Sequence, residues 1–334
     1  MYRRRLAALA GAIGLLGALI GSGVAAQADT LIGVDSTLSS LMSSYLSSSQ
    51  DACVGGTSTY DSLSGTKTCT INETSSGGKN IAVCVQSNTP GTGQECKITQ
   101  TNFSGNNYAL VFQHVVDNGG PTEKATQTST ITQSMATLGT GSNFAAIVQV
   151  VKQSTKQAGD QSQTVNQFNT TDQTSSTGTN FASLEESSDQ SAQSNNSQQK
   201  QSSEQDASDP FGHINQHSAG LSRIFVTQNQ VQNLTGSGAQ TQTIDPRCCS
   251  MQDSNTNDVF SINQSTHQSG NANAFQVANS SGTCDSTGQC TITQSASDNT
   301  DSFGPSTTTC TPGFPCNSTV SCGNVEGSFC GRVD

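Results

Sequence analysis

Apolar and polar residues alternate along most of this chain in short runs, and the runs recur. Seven times a triplet of the form Ile/Val-Asn/Thr-Gln/Glu appears, at Ile71, Ile98, Ile131, Val165, Ile214, Ile262 and Ile292. About ten residues after the early triplets comes a second segment, Gly-x-Asn-x-Ala-x-x-x-Gln, at Gly78–Gln86, Gly105–Gln113 and Gly141–Gln149. A fourth copy, Gly178–Glu186, ends in Glu, later copies at Ser222–Gln228 and Asn273–Asn279 are degenerate, and the seventh unit decays after Gln294. Period-two alternation predicts strands, and a repeated two-strand unit predicts a stacked array. Before the repeats, Leu31, Val34, Leu38, Leu41, Met42, Tyr45 and Leu46 recur at helical spacing and predict a short amphipathic helix, expected to cover the first rung or else to be a Ser-rich leader.

Successive strand side chains point to opposite faces, so Asn107, Ala109, Val111 and Gln113 share one face, while Tyr108, Leu110 and Phe112 share the other. The same holds for Asn143, Ala145, Ile147 and Gln149, and in the first strands for Cys96, Ile98 and Gln100, or Ile131 and Gln133. Turning these sets toward each other closes a slim rung with an apolar centre bounded by amides. Stacked rungs place Gln over Gln and Asn over Asn, which satisfies the buried carboxamides. Seven rungs would extend about 34 Å. Tyr108, Leu110, Phe112, Phe144 and Val148 are then expected to face outward and offer lateral contacts. Cys69 and Cys96 fall at equivalent inward positions, so a disulfide between neighbouring rungs is expected, with Cys84–Cys96 as its rival.

Composition narrows the reading. Charged residues make up 11% and aromatics 5%, with no Trp, which is too few large apolar side chains for a conventional core of 334 residues. Arg3, Arg4 and Arg5 precede an apolar run from Leu6 to Ile20 and small residues ending Ala26-Gln27-Ala28, the pattern of a secretory signal peptide over residues 1–28; a membrane anchor is the competing reading. Without residues 1–28, 10 Lys and Arg face 24 Asp and Glu, a net charge of −14. Such a surface excludes nucleic acid as a natural partner, and no later segment is apolar enough to span a membrane. The twelve cysteines fall in two even groups, Cys53, Cys69, Cys84 and Cys96, then Cys248, Cys249, Cys284, Cys290, Cys310, Cys316, Cys322 and Cys330, with none from 97 to 247. In an exported chain this favours disulfides over zinc.

The resulting organisation is an all-β solenoid of about seven two-strand rungs over 67–303, a capping segment at 29–66 and a Cys-rich tail at 304–334. A polar stretch at about 187–210 has no apolar periodicity and is expected to be a loop, with a very polar extra rung as the alternative.

At the paired motifs the chain resembles curlin, the secreted subunit of bacterial curli fibres, through Ile98, Gln100, Asn107, Ala109 and Gln113, then Ile131, Gln133, Asn143, Ala145 and Gln149, with Asn80, Ala82 and Gln86 in the first unit. The resemblance implies a β-solenoid that polymerises as functional amyloid in a biofilm matrix. Longer spacing, an earlier turn glycine and the many cysteines depart from that family.

No catalytic constellation is found. The serines lie in polar runs rather than on a nucleophile elbow. His114, His213, His217 and His267 form no metal frame, and Glu185, Glu186 and Asp189, a candidate carboxylate group, lie where a repeat degenerates. The chain calls for no cofactor and no metal. Thr130 and Thr132, Thr291 and Thr293, with Thr99, Asn72 and Asn166, predict an outward Thr/Asn face similar to those of ice-binding solenoids. The expected role is a secreted, non-enzymatic matrix or fibre subunit, partnered by itself or other matrix subunits. The alternative is a monomeric adhesin that meets ice, glycans or a cell surface through that face.

Overall fold

The computed structural model describes residues 35–46, 50–87, 93–117, 119–136, 140–156, 158–193, 198–207, 213–218, 220–237, 239–253, 259–270, 275–286, 289–297, 302–311, 316–324 and 328–333. Among them a single helix, α1 (Ser36–Tyr45), precedes twenty strands. The first ten are β1 (Ala52–Val54), β2 (Gly56–Asp61), β3 (Thr66–Ser75), β4 (Lys79–Ser87), β5 (Gly93–Asn102), β6 (Asn106–Asp117), β7 (Thr122–Met135), β8 (Asn143–Thr155), β9 (Gln161–Ser175) and β10 (Asn180–Gln193). The rest are β11 (Gln199–Ala207), β12 (His213–Ser218), β13 (Ser222–Thr235), β14 (Gln240–Asp253), β15 (Val259–Ser269), β16 (Phe275–Ser286), β17 (Gln289–Ser297), β18 (Ser302–Cys310), β19 (Cys316–Asn324) and β20 (Ser328–Val333).

These strands form two sheets. A nine-strand sheet runs β1-β4-β6-β8-β10-β13-β15-β17-β18, and an eleven-strand sheet runs β2-β3-β5-β7-β9-β11-β14-β16-β19-β20, with β12 continuing the β11 position beside β9 and β14. From β4 to β17 in one sheet and β3 to β16 in the other, every neighbour is parallel. The chain therefore alternates between sheets and stacks on itself, as an all-β solenoid does.

Equivalent residues lie in register. Ile71, Ile98 and Ile131 are Cα partners in succession, as are Asn80, Asn107, Asn143 and Asn180, and Ala82, Ala109, Ala145 and Ala182. They line a narrow core of Ile, Ala, Val and Cys between the sheets. The glycine of the second motif also has its reason: a Cβ on Gly105 would lie 1.6 Å from the Gly78 carbonyl oxygen, and one on Gly141 1.7 Å from that of Gly105. Backbone stacks on backbone at this corner, and only Gly fits.

Several expectations require correction. The triplet at Val165 is not the fourth equivalent of Ile131, because Val165 pairs with Ala125 and Thr171 stands opposite Ile131, with Ile214 next. β9 carries both Val165-Asn166-Gln167 and Thr171-Asp172-Gln173, and its inward amides recur so regularly that either frame satisfies the alternation. Ile262 and Ile292 sit in the nine-strand sheet, stacked on Val226, rather than in the sheet of Ile71. An inward aliphatic followed two places later by an inward Gln suits either sheet, so the triplet does not mark which one a strand joins.

The polar stretch at 187–210 is not a loop over its described part. β10 continues to Gln193 and β11 pairs in parallel with β9 and β14, while residues 194–197 and 208–212 lie outside the described set. Buried Gln190, Gln199, Gln201 and Gln205 replace the apolar periodicity with an amide one.

The predicted helix forms from Ser36, capped by Asp35, whose Oδ1 accepts from Thr37 N at 2.7 Å and Leu38 N at 3.4 Å; Leu31 and Val34 lie outside the described residues. It does not cover the first rung. Leu38, Leu41, Met42, Tyr45 and Leu46 pack on the outer face of the nine-strand sheet, among Val83, Val85, Tyr108, Leu110, Phe112 and Phe144. Tyr108, Leu110, Phe112, Phe144 and Val148, expected as exposed contacts, are all at most 6% exposed. Burying each large side chain stabilises the fold by about 1.5–3 kcal/mol, which is why an amphipathic helix beside so apolar a face settles there. Tyr108 Oη donates to Asp35 Oδ2 at 3.2 Å and fixes the helix start.

The cysteine pairing also differs from the expectation. The bonds are Cys53–Cys69 and Cys84–Cys96, with Cα separations of 5.8 and 6.2 Å, not Cys69–Cys96. Cys69 and Cys96 are Cα partners in the eleven-strand sheet, yet their side chains project across the core and meet Cys53 and Cys84 of the opposite sheet. Both bonds therefore tie sheet to sheet. At the other end Cys290 and Cys310 are disulfide-bonded and stand opposite one another across β17 and β18. The backbone also sets Cys284 opposite Cys316 and Cys322 opposite Cys330, and Cys248 and Cys249 lie in β14.

Candidate functional site: an amide spine with two capped ends

The most ordered chemistry in the molecule lies along its axis. Gln86, Gln113, Gln149, Glu186, Gln228, Gln264 and Gln294 are successive Cα partners through the nine-strand sheet. All are buried. Gln113 Nε2 donates to Gln86 Oε1 at 2.9 Å, Gln149 to Gln113 at 2.7 Å, Gln264 to Gln228 at 2.7 Å and Gln294 to Gln264 at 2.9 Å. The second N–H goes to a carbonyl of the facing sheet at Gln113, on Thr128 O at 3.2 Å, at Gln264, on Pro246 O at 3.4 Å, and at Gln294, on Ser318 O at 3.1 Å. A buried amide left without partners costs about 1–3 kcal/mol, so every member depends on its neighbours being in step.

Glu186 interrupts this column. It offers no N–H to Gln149, and Asn169 from β9 fills the gap: its Nδ2 donates to Gln149 Oε1 at 3.0 Å and to Glu186 Oε1. Gln228 Nε2 donates to the other carboxyl oxygen at 2.6 Å. Burial pushes the Glu186 carboxyl up to about 8, further raised by Asp206 and opposed by the two amide donors. Glu185 points to the opposite face, where burial raises it to about 7. Adjacent strand residues cannot converge, so Glu185 and Glu186 form no carboxylate pair for hydrolysis.

Further columns escaped the motif. Gln94, Gln127, Gln167 and Gln205 are linked at 2.8–2.9 Å, and Gln153, Gln190, Gln232 and Gln268 at 2.8–3.1 Å. Two columns begin on a carboxylate: Gln100 donates to Glu73 at 2.7 Å, and Gln163 to Glu123 at 2.7 Å. An acid there accepts from the first amide and needs nothing beneath it; Glu123, pushed up by burial, also takes Gly119 N at 3.1 Å. Gln-x-Gln spacing at 161–163, 199–201 and 230–232 was the available signal. The asparagines run the other way, Asn80 Nδ2 donating to Asn107 at 2.9 Å, Asn107 to Asn143 at 2.8 Å and Asn143 to Asn180 at 3.0 Å.

Both ends of the stack are closed by strands that reverse direction. At the start β1 lies antiparallel on β4 and β2 antiparallel on β3; at the finish β18 lies antiparallel on β17, β19 on β16 and β20 on β19. The Cys-rich tail thus closes the last rung with antiparallel strands, and the first rung is closed by β1 and β2.

On the outside of the eleven-strand sheet, hydroxyls dominate. β7 turns Thr126, Thr128, Thr130, Thr132 and Ser134 outward, with Thr99 and Asp172 flanking Thr132 and Lys97 and Thr170 flanking Thr130. Thr291 and Thr293 belong to the other sheet, and Asn166 pairs with Thr126, so the face is smaller and differently composed than expected. At its start the β2–β3 turn walls a polar groove of about 530 Å³ lined by Asp61, Thr68, Glu95, Lys124, Thr126 and Thr128. Burial lowers His114, followed by the charge of Lys152, and His267 Nδ1 lies 2.7 Å from Ser297 Oγ. Among the described residues no cluster of three or more His, Cys, Asp or Glu could hold a metal ion, and no helix is long and apolar enough to cross a membrane.

Comparison with known proteins finds no matching family, no matching curated protein and no matching solved structure.

Proposed function

We propose that this protein is a secreted, non-enzymatic structural β-solenoid, curlin-like in its seven-rung repeat, that serves in an extracellular matrix or at a cell surface as a closed rod. The observation that carries the reading is the pair of end caps. A fibre built by stacking rung on rung needs open parallel edges, and here antiparallel strands occupy both. The caps are poor templates in their turn: β1 has three residues, and β18 contains Pro305, which has no N–H to donate. This favours the single-copy rod over end-on stacking in the oxidised protein. The hydroxyl face of the eleven-strand sheet is then the surface offered to a matrix glycan or other solid partner.

Fractionation of producing cells, with thiol labelling and sizing of the recovered protein, tests the proposal. It expects extracellular material, oxidised cysteines and a single-copy elution volume. Recovery in the cytoplasm with free thiols, or spontaneous fibres from the oxidised chain, would refute it.

A further inference from the structure

A depression interrupts the outer face of the eleven-strand sheet where β3, β5 and β7 begin. Outward positions on these three strands fall in rows, and Thr68, Glu95 and Thr128 form one of them. In the row before it Gly93 stands beside Thr126, with Thr66 on its other side. Gly93 has no side chain, so the floor drops between two threonine hydroxyls that stand two strand spacings, about 10 Å, apart. A Cβ at Gly93 would already meet Thr66 Oγ1 at 2.8 Å. The hollow is the polar groove of about 530 Å³, a size proper to a small-molecule site.

Its walls carry polar groups that are already oriented. Asp61, at the end of β2, is held by its own turn: Oδ1 accepts from Leu63 N at 2.9 Å and Oδ2 from Ser64 Oγ at 2.7 Å. The Ser64 bond, followed by that of Leu63, keeps the carboxyl below the usual carboxylate range, so it is ionised and retains lone pairs for further donors. Glu95 Oε2 accepts from Thr68 Oγ1 at 3.0 Å, and its Oε1 is paired with Lys97 at 2.7 Å. Lys124 of β7 is exposed and brings an ammonium with three donors to the same groove. Leu63, 99% exposed on the β2–β3 turn, adds an apolar contact at the rim.

The charges here balance, Asp61 and Glu95 against Lys124 and Lys97. A ligand with a net charge would leave one group without a counterpart, and the chain's surplus of carboxylates repels polyanions. What the groove offers is a dense set of hydroxyls between an acceptor and a donor that are both charged. That set matches the adjacent hydroxyls and ring oxygen of a neutral sugar.

We infer that this groove binds a neutral hexose glycan, with Asp61 accepting from adjacent sugar hydroxyls, Lys124 donating to a sugar oxygen and the Thr66 and Thr126 hydroxyls flanking the ring. Gly93 keeps the floor clear for it. The inference rests on the closed-rod reading and narrows its hydroxyl face to one site.

Isothermal titration calorimetry of the oxidised full chain with soluble hexaoses tests this, using neutral ones of glucose, mannose and galactose, an anionic oligogalacturonate and a cationic oligoglucosamine. Saturable one-to-one binding of a neutral hexaose, insensitive to salt, is expected. Asp61→Asn and Lys124→Met should each weaken it about tenfold or more, the loss of one charged hydrogen bond. Gly93→Leu fills the hollow and should abolish binding. Lys124 is exposed, so its variant should keep the parent's thermal melt and separates a lost contact from a lost fold. Binding unchanged in Asp61→Asn and Lys124→Met overturns the inference, as does preference for a charged oligosaccharide or no binding of any neutral hexaose. With single-copy elution, each of these results leaves the closed rod standing. Fibres from the oxidised chain overturn the rod itself, whatever the sugar does.

Discussion

Replacing Glu186 by Gln tests the spine at its one irregular rung. The folded chain keeps this carboxyl protonated to a pH of about 8, against an ordinary value of 4.5, because it lies among amides without a cation against it. The unfolded chain releases that proton near 4.5. The raised value therefore contributes stability that is fully present below 4.5 and is lost as pH rises toward 8. At about 1.36 kcal/mol per unit, the loss between pH 5 and pH 7 comes to roughly 2.5 kcal/mol from this group alone. Glu186→Gln removes the titration and supplies the N–H that the column lacks toward Gln149. Denaturant unfolding followed by circular dichroism at pH 5, 6 and 7 should find the variant's stability falling less with pH by that amount, and the variant the more stable of the two at pH 7. An unchanged slope would mean that the carboxyl is hydrated or paired with a cation, and that the dry interior described for this rung is wrong.

Three further tests probe other layers. Val111→Asp buries a charge at a position 0% exposed and should cost several kcal/mol, while Thr132→Asp on the outer face should be nearly silent; equal shifts in a thermal melt would invert the assignment of faces. Leu38→Ala, at a helix residue 2% exposed, should cost about 2–5 kcal/mol and raise the binding of a hydrophobic dye as α1 loosens; no dye response would place the helix off the sheet. Thr130→Lys with Thr132→Lys should leave the melting temperature within about 1 °C, given the small effect of surface changes, yet weaken retention on insoluble polysaccharide; unchanged retention would remove the hydroxyl face as the contact surface.

The legible part of this chain is the part in which a motif has one physical meaning. Gly-x-Asn-x-Ala-x-x-x-Gln combines a corner where only Gly fits with an inward Asn, Ala and Gln, and its first four copies align residue for residue. The triplet Ile-x-Gln has two meanings, since an inward aliphatic and an inward amide suit either sheet, and so Ile262 and Ile292 stand in the nine-strand sheet while Ile71, Ile98 and Ile131 stand in the other. Stretches of Ser, Asp and Gln at 187–207 resemble disordered polar sequence because apolar periodicity is the usual sign of a strand. Here the buried side of the alternation is carried by amides that are satisfied only by identical residues one rung away. The cover of Tyr108 and Phe144 by α1 depends on where a connection folds back, which no local pattern encodes. The cysteines marked both ends for reinforcement, but their partners follow from which residues face across the core rather than from neighbours along it.

The opposed senses of the asparagine and glutamine columns have an electrical consequence. Were every side-chain amide oriented alike, their dipoles would add along the axis and give the rod a field with a positive and a negative tip. The countercurrent of the asparagines offsets part of that sum, leaving the surplus of carboxylates on the surface as the main source of long-range force. Neighbouring molecules should then repel side by side at low salt with little preference for direction, and come together only where geometry, not polarity, brings them into step.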